Sequence, residues 1–426
     1  MLKRRIEFLC KKKNITRKEL VEGLVTPAHL ANILAERHPL MEDVAGEIAS
    51  RLGVTPAYLL RAAQADEETL ARAEHIFAEL SKMAVSELEG YIEELDDRDD
   101  TLTVELTTAL MKAVYYQQVN DVNAYRYLHE SYLNFYLDKY GRPDEVELPL
   151  PLKKALLFYK IQYFRSKYQY FEVLKHVASW GALLEEGTEI WLTAQNIELE
   201  ACVHLKRFDQ AKEVFEQTMQ QVYARRMFHR LSGLYVANSG YCFAMGMVQE
   251  ALLALSMAEA NLVYAENQGE VLPTIMNNRI IMMTMNGDLD GAVSEISRFE
   301  DLVNREAEET KLSLLPAMKV YRCEVASVRK NWALLAQEIS LLEGFRLTPD
   351  QAHALAFYRS QLALAQGEAA LFMEMAQSCL PYFEQIQHKG RLEILYEALA
   401  VVHEDARRYK ESTIFYRKLV HLLRNH

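Results

Sequence analysis

The sequence predicts an all-α protein, a small helical bundle followed by a long array of helical hairpins. Three observations carry that prediction. Glycine (16) and proline (10) are scarce in 426 residues, and a strand-rich chain needs more turn formers than that. Residues 1–62 contain helix-start residues at short intervals. From about residue 101, a turn followed by a small buried-type residue recurs with a period of about forty.

Local signals place five short helices in the first 62 residues. Residues 3–13 carry Ile6 and Leu9 on one face. Asn14-Ile15 is a turn. Thr16 and Glu19 then stand three apart, the spacing of a capping box, in which each side chain satisfies the other's free backbone N–H. A second helix is therefore expected over 17–22, closed by Gly23-Leu24-Val25. Thr26 is the next cap, and Pro27 sits at the first helical position, where its missing N–H costs nothing. The third helix runs to about Ala35. A fourth spans about 42–52 and stops at Gly53, and Thr55-Pro56 opens a fifth. Two short helices joined by a three-residue glycine turn have the form of a helix-turn-helix, a form shared by other small bundles.

Residues 66–100 are acidic and helix-forming. They read as a connecting helix that ends in a solvated charge run at 93–100. The expected division is a DNA-binding head at 1–64, a connector at 65–100 and a repeat domain at 101–426.

Within the repeat domain each turn offers an apolar or aromatic residue and, three positions on, a small or apolar one. The pairs are Tyr168/Phe171, Phe208/Ala211, Val248/Ala251, Leu289/Ala292, Trp332/Leu335, Glu368/Leu371 and Tyr409/Ser412, with second members 36 to 43 residues apart. One helix before each turn and one after makes a hairpin. No hairpin buries its apolar face alone, so neighbours stack into a superhelix.

Charge is unevenly shared. Residues 1–62 hold 11 Lys/Arg against 7 Asp/Glu, and the remainder holds 37 against 53. A basic head allows nucleic-acid binding there, and an acidic body argues against it elsewhere. The five cysteines are dispersed and odd in number, which suits a reducing cytoplasm and excludes a disulfide framework or a CxxC metal pair. The charge-free run 231–249 contains glycines, serines and Asn238, so it reads as packed helix and not as a membrane span. No nucleotide-loop, serine-hydrolase or metalloprotease motif is present, so neither a catalytic residue nor a metal or cofactor is expected.

Two groups of residues rise above packing. In the head, Leu30, Ile33 and Leu34 form the buried stripe of the third helix, which leaves Thr26, Ala28, His29 and Asn32 outward. Asn pairs with adenine and Thr contacts phosphate or a thymine methyl, while Arg17 and Lys18 neutralise backbone charge, together with Lys11, Lys12 and Lys13. Asn32 can equally be an ordinary exposed helix residue. In the body, Asn196, Asn238, Asn277 and Asn278 stand 13 to 15 residues before Ala211, Ala251 and Ala292. Asn is a poor helix former, so its recurrence needs a reason. A carboxamide both donates and accepts, so a row of them can hold an extended peptide by its backbone. The other reading is that they bridge neighbouring helices. Tyr159, Tyr235, Arg279, Arg322 and Tyr358 would add pockets and charge.

The head, with Glu22-Gly23-Leu24-Val25-Thr26 followed by His29-Leu30, resembles the Xre/Cro class of helix-turn-helix. It looks especially like the form in peptide-sensing quorum regulators of Gram-positive bacteria, the Rap, Rgg, NprR, PlcR and PrgX group. Those proteins join such a head to tetratricopeptide-like repeats. The resemblance implies a right-handed superhelix and a cytoplasmic homodimer. It also implies an inverted-repeat operator in double-stranded DNA, and a short signalling peptide gripped by Asn196, Asn238 and Asn277. Arg17 departs from the Gln common at its position, as does the 31–36 stretch from the usual third-helix end, and both leave the operator sequence open. The function expected is a peptide-switched transcriptional regulator. The alternative is a protein-interaction regulator with a degenerate head.

Overall fold

The computed structural model describes residues 1–83, 85–143, 145–265, 268–305 and 308–424. Among them there are helices and no strand. The chain forms two compact units, Met1–Arg226 and Met227–His426.

Unit 1 begins with the five expected helices: α1 (Leu2–Lys13), α2 (Arg17–Leu20), α3 (Pro27–Leu34), α4 (Glu42–Leu52) and α5 (Pro56–Leu60). The caps are those the sequence names. Thr16 Oγ1 accepts from the Glu19 N–H at 3.2 Å, and Glu19 accepts from the Thr16 N–H at 2.7 Å. Thr26 and Thr55 cap α3 and α5, accepting from the His29 and Tyr58 N–H groups. Helix α2 is shorter than expected. Val21 turns into the core and Gly23 takes a left-handed φ of 74°, which a side chain resists, so the helix stops at Leu20. Ile6, Leu20, Leu30, Ile33, Ile48 and Leu59 fill the centre of the bundle.

Helices α6 (Glu67–Lys82), α7 (Val85–Glu94) and α8 (Leu102–Gln118) follow. Asp66 caps α6. The acidic run before α8 is not a merely solvated face, as composition suggests. The side chain of Arg5, fully buried on α1, donates to the carbonyls of Tyr58 (2.8 Å), Asp99 (2.9 Å) and Asp100, and to Glu105 Oε2 at 3.1 Å. Lys112 donates to the Leu95 carbonyl and to Asp97, each at 2.7 Å. Arg5 takes the run's backbone carbonyls and, among the described residues, only Asp97 gives its carboxylate to a buried cation, Lys112, so sequence-local reasoning does not see either contact.

A long bent helix comes next: α9 (Val122–Leu128), a π turn at His129–Leu133 and α10 (Asn134–Tyr140). The π turn carries Tyr132, whose hydroxyl donates to Glu105 Oε1 at 2.5 Å. Two hairpins complete the unit: α11 (Leu150–Arg165) with α12 (Tyr170–Gly181), and α13 (Glu189–His204) with α14 (Phe208–Ala224). Trp180, fully buried, stacks on Phe158 and meets Phe77 edge-on.

Unit 2 is five hairpins: α15 (Leu231–Ala244) and α16 (Val248–Ala260), α17 (Gln268–Met285) and α18 (Leu289–Val303), α19 (Glu308–Val328) and α20 (Trp332–Leu342), α21 (Pro349–Ala365) and α22 (Ala369–Gln385), α23 (Lys389–Asp405) and α24 (Tyr409–Arg424). The charge-free run 231–249 therefore contains a turn, with Gly246 at its centre.

All seven hairpin turns share one geometry. A residue with left-handed φ ends the first helix: Tyr168, Lys206, Gly246, Gly287, Lys330, Gly367 or Arg407. Its N–H and the next bond back to the helix, as Lys206 to Val203 (3.0 Å) and Arg207 to Cys202 (2.8 Å). Five residues after the left-handed one comes a buried side chain: Val173, Ala211, Ala251, Ala292, Leu335, Phe372 or Ser412. The first and sixth repeats thus correct the sequence pairing. Phe171 is 62% and Leu371 41% exposed, and Val173 and Phe372 take the inner place. At those two turns more than one apolar residue competes for the inward position, Phe171 with Val173 and Leu371 with Phe372, and only the turn's backbone fixes which points in.

Candidate functional site

The head presents α3 as expected. Thr26, Ala28 and His29 are exposed, Asn32 is half-buried, and Leu30, Ile33 and Leu34 point inward. The His29 ring stacks on His38 at 5.6 Å, and Arg37 lies 3.5 Å from Asn32 Oδ1. Lys18 is exposed. Arg17 is already engaged, in an ion pair with Glu7. Arg51 donates to the Glu19 and Leu20 carbonyls, so it closes α2 and leaves the turn before α3 in a fixed path. The arrangement offers Thr26, His29 and Asn32 along α3, with the exposed Lys18 on α2.

In unit 1, Asn196 lies on α13 with its Oδ1 buried, and among the described residues that atom has no hydrogen-bond partner. A buried carbonyl without a donor is costly, so it is a place where a ligand N–H would be welcome. Nearby on the same helix, Glu200 takes Arg165 at 2.6 and 3.0 Å and Tyr170 at 3.2 Å. Tyr159, on α11, bonds to Tyr125 and His129.

In unit 2, Asn238 is half-buried on α15 and makes no side-chain hydrogen bond among the described residues. On α17, Asn277 Nδ2 donates to Asn278 Oδ1 at 3.3 Å, and the hydroxyl of Tyr321 on α19 donates to Asn277 Oδ1. Burial raises the Tyr321 phenol well above the ordinary range, so it remains a donor. Sequence reading missed Tyr321, although the signal is there: it precedes Leu335 by 14 residues, the register at which Asn278 precedes Ala292. Within unit 2, Tyr321 on α19 thus holds the register that Asn278 holds on α17.

The remaining residues named from the sequence are placed differently. Tyr358 is fully buried and donates to Glu324 Oε2 at 2.5 Å, with Arg391 against the same pair. Arg279 is buried between Glu259 (2.9 Å) and Glu295 (2.6 Å). Hydrogen bonds from Arg298 and Arg279 hold the Glu259 carboxyl below the usual range. Arg322 pairs with Glu300 and lies 3.6 Å from Glu338. These side chains stitch hairpin to hairpin. They do not stand open as pockets, because an acidic residue on a neighbouring helix claims each of them. Tyr235 is half-buried on α15 and has partners of its own.

Burial pushes the Cys202 and Cys379 thiols up to about 11 and Cys323 up to about 12, so none is a ready nucleophile. Among the described residues no group of His, Cys, Asp and Glu is placed to hold a metal, and no helix is long and apolar enough to cross a membrane.

No family model and no curated protein sequence matches the chain. Solved structures do. A Rap protein complexed with competence and sporulation factor aligns with 84% of this chain and 99% of its own, at 12% identity and a TM-score of 0.57. The fold is that of the Rap protein. At 12% identity the likeness to Rap is one of backbone, all-α and tetratricopeptide-like. NprR in complex with its cognate peptide NprX matches over 84% and 99% of the two chains at 15% identity, with a TM-score of 0.47. ComR from S. thermophilus, in complex with DNA and its signalling peptide ComS, matches over 65% and 99% at 12% identity, with a TM-score of 0.29.

Proposed function

We propose that this chain is a peptide-responsive transcriptional regulator. Residues 1–64 bind an inverted-repeat operator as a homodimer, through Thr26, Ala28, His29 and Asn32 on base edges and Lys18 on phosphate. Residues 101–426 bind a short extended peptide along the first helices of the hairpins, with Asn196, Asn238, Asn277 and Asn278 on its backbone. What supports the reading is the recurrence of amides on the first helices of hairpins, an unpartnered Asn196 carbonyl in unit 1 and an unengaged Asn238 with Asn277 and Asn278 in unit 2, in a fold whose solved Rap example holds competence and sporulation factor. Peptide binding switches the protein only through different affinities for its two arrangements.

The test is selection from a random duplex pool at about 0.15 M salt, where loose electrostatic binding is screened. Wild type enriches an inverted repeat, and Asn32→Ala and His29→Ala lose it. For the peptide arm, Asn238→Ala weakens binding by about 1–3 kcal/mol, the cost of a lost buried polar partner. Unchanged affinity after joint replacement of Asn196, Asn238 and Asn277 removes the row from the argument. The acidic body, with 53 Asp/Glu against 37 Lys/Arg beyond residue 62, favours a second reading: a regulator that docks another protein. No enrichment with or without peptide extract, together with a stoichiometric protein partner, selects it.

A further inference from the structure

A cleft of about 460 Å³ opens in unit 1 between the head and the helices behind it. Its walls come from the end of α1, the α4–α5 turn, α8 and α9 with its π turn. The spacing along α8 is that of a single helical stripe, Glu105, Thr108, Ala109, Lys112 and Tyr116, α9 supplies Ala124, Tyr127 and Leu128, and the π turn supplies Ser131 and Tyr132. No residue of α3 lines it, so it is separate from the head's outward helix.

Its charge is one-sided once internal pairs are removed. Glu105 is saturated: it accepts from Arg5 (3.1 Å), Tyr58 (2.9 Å), Tyr132 (2.5 Å) and the Asp99 N–H (3.2 Å). Asp97 is taken by Lys112. Lys112 itself is more than nine-tenths buried and spends two donors on Asp97 and the Leu95 carbonyl. An ammonium has three, so one N–H remains at the wall. At the rim, Lys12, Lys13 and Arg98 are exposed, and among the described residues none of them makes an ion pair. The other lining is aromatic: Phe8, Tyr58, Tyr116 and Tyr132 inside, and Tyr127, 75% exposed, at the mouth. An aromatic that exposed is poorly used by the fold alone.

We propose that this cleft binds a small ring-bearing anion: a phosphate, sulfonate or carboxylate attached to one flat ring system. The anion sits among Lys112, Lys12 and Arg98, and the ring stacks among the tyrosines. The volume falls within the range of small-molecule sites, about 300–1,000 Å³. The site stands independently of the proposed peptide contacts, since none of Asn196, Asn238, Asn277 and Asn278 lines it.

The probe is 8-anilinonaphthalene-1-sulfonate, titrated into the full chain and followed by fluorescence. Its neutral counterpart is N-phenyl-1-naphthylamine. Saturation at one equivalent is expected. Lys12→Glu with Arg98→Glu should weaken the sulfonate by about tenfold or more while leaving the neutral probe unchanged. Both positions are exposed, and an unaltered melting curve confirms the fold. Tyr116→Ala should weaken both probes. Unsaturable binding, equal sulfonate affinity in wild type and the charge-reversed variant, or equal loss of both probes on charge reversal overturns the proposal.

Discussion

The head and the C-terminal hairpins are held by opposite strategies. The head is fastened to α8 by one buried cation, with Arg5 threaded through three carbonyls to a carboxylate that also receives two phenols. Unit 2 spreads its buried cations over several hairpins, Arg279 between Glu259 and Glu295 and Arg391 beside Glu324 and Tyr358. It repeats a modest device five times, a left-handed turn with a small or apolar residue tucked under it, and adds Arg–Glu pairs between hairpins. A buried ion pair is all-or-nothing, because removing one partner strands the other in a low-dielectric interior. A repeat device is divisible, and each copy can fail by itself. The difference predicts where damage will be abrupt and where it will be graded.

The sharpest way to break the comparison is at Glu105. Glu105→Ala should destabilise unit 1 by about 3–5 kcal/mol by leaving Arg5 buried and unpaired, read by urea denaturation. Arg5→Met combined with Glu105→Leu should recover much of that loss. If the double variant is no better than the single, the geometry and not the charge is what holds the head. The equivalent blow in unit 2 is smaller. Ala251→Leu forces a branched side chain into a fully buried turn and should cost about 1–3 kcal/mol, with the transition broadened because neighbouring hairpins survive.

The turns themselves give the next step down. Lys330 holds a left-handed φ of 54° with a side chain attached. Lys330→Gly should stabilise unit 2 by about 1 kcal/mol, and Gly246→Ala should cost a similar amount. Equal and opposite shifts in thermal denaturation would establish that the seven turns are interchangeable parts.

The smallest expected effect is on pH. Burial lowers the affinity of His129 and His204 in unit 1, and of His388 in unit 2, for a proton. Each group binds protons more readily when unfolded, so its contribution is present above the unfolded value of about 6.5 and erodes as pH falls below it. Glu259 acts later. Its folded carboxyl is held low by Arg298 and Arg279, so its share is lost only as pH drops through that depressed value. Melting at pH 7.5, 5.5 and 4 should show unit 1 weakening first, and the reverse order would refute the assignment.

What could be read from the sequence follows the range of each interaction. The head's helices were legible because Thr16 and Glu19, or Thr26 and His29, meet within one turn. Five of the seven hairpin turns were legible because Ala211 and its counterparts must be small or apolar wherever two helices cross. Arg5 and Glu105 lie a hundred residues apart, and no local pattern ties them. The same limit misled the reading of Tyr358 and Arg279. A tyrosine bound to a neighbouring helix's carboxylate carries the same spacing as one facing a groove, and only the partner, Glu324 or Glu295, tells them apart.

The three tryptophans are divided between the units: Trp180 and Trp191, both buried, in unit 1, and the partly buried Trp332 at the start of α20 in unit 2. The protein therefore carries its own optical labels. A Trp332→Phe variant emits from unit 1 alone, and subtracting its signal from wild type isolates unit 2. The order in which the units melt, refold or respond to a bound molecule can then be followed in unlabelled protein by the colour of its emission.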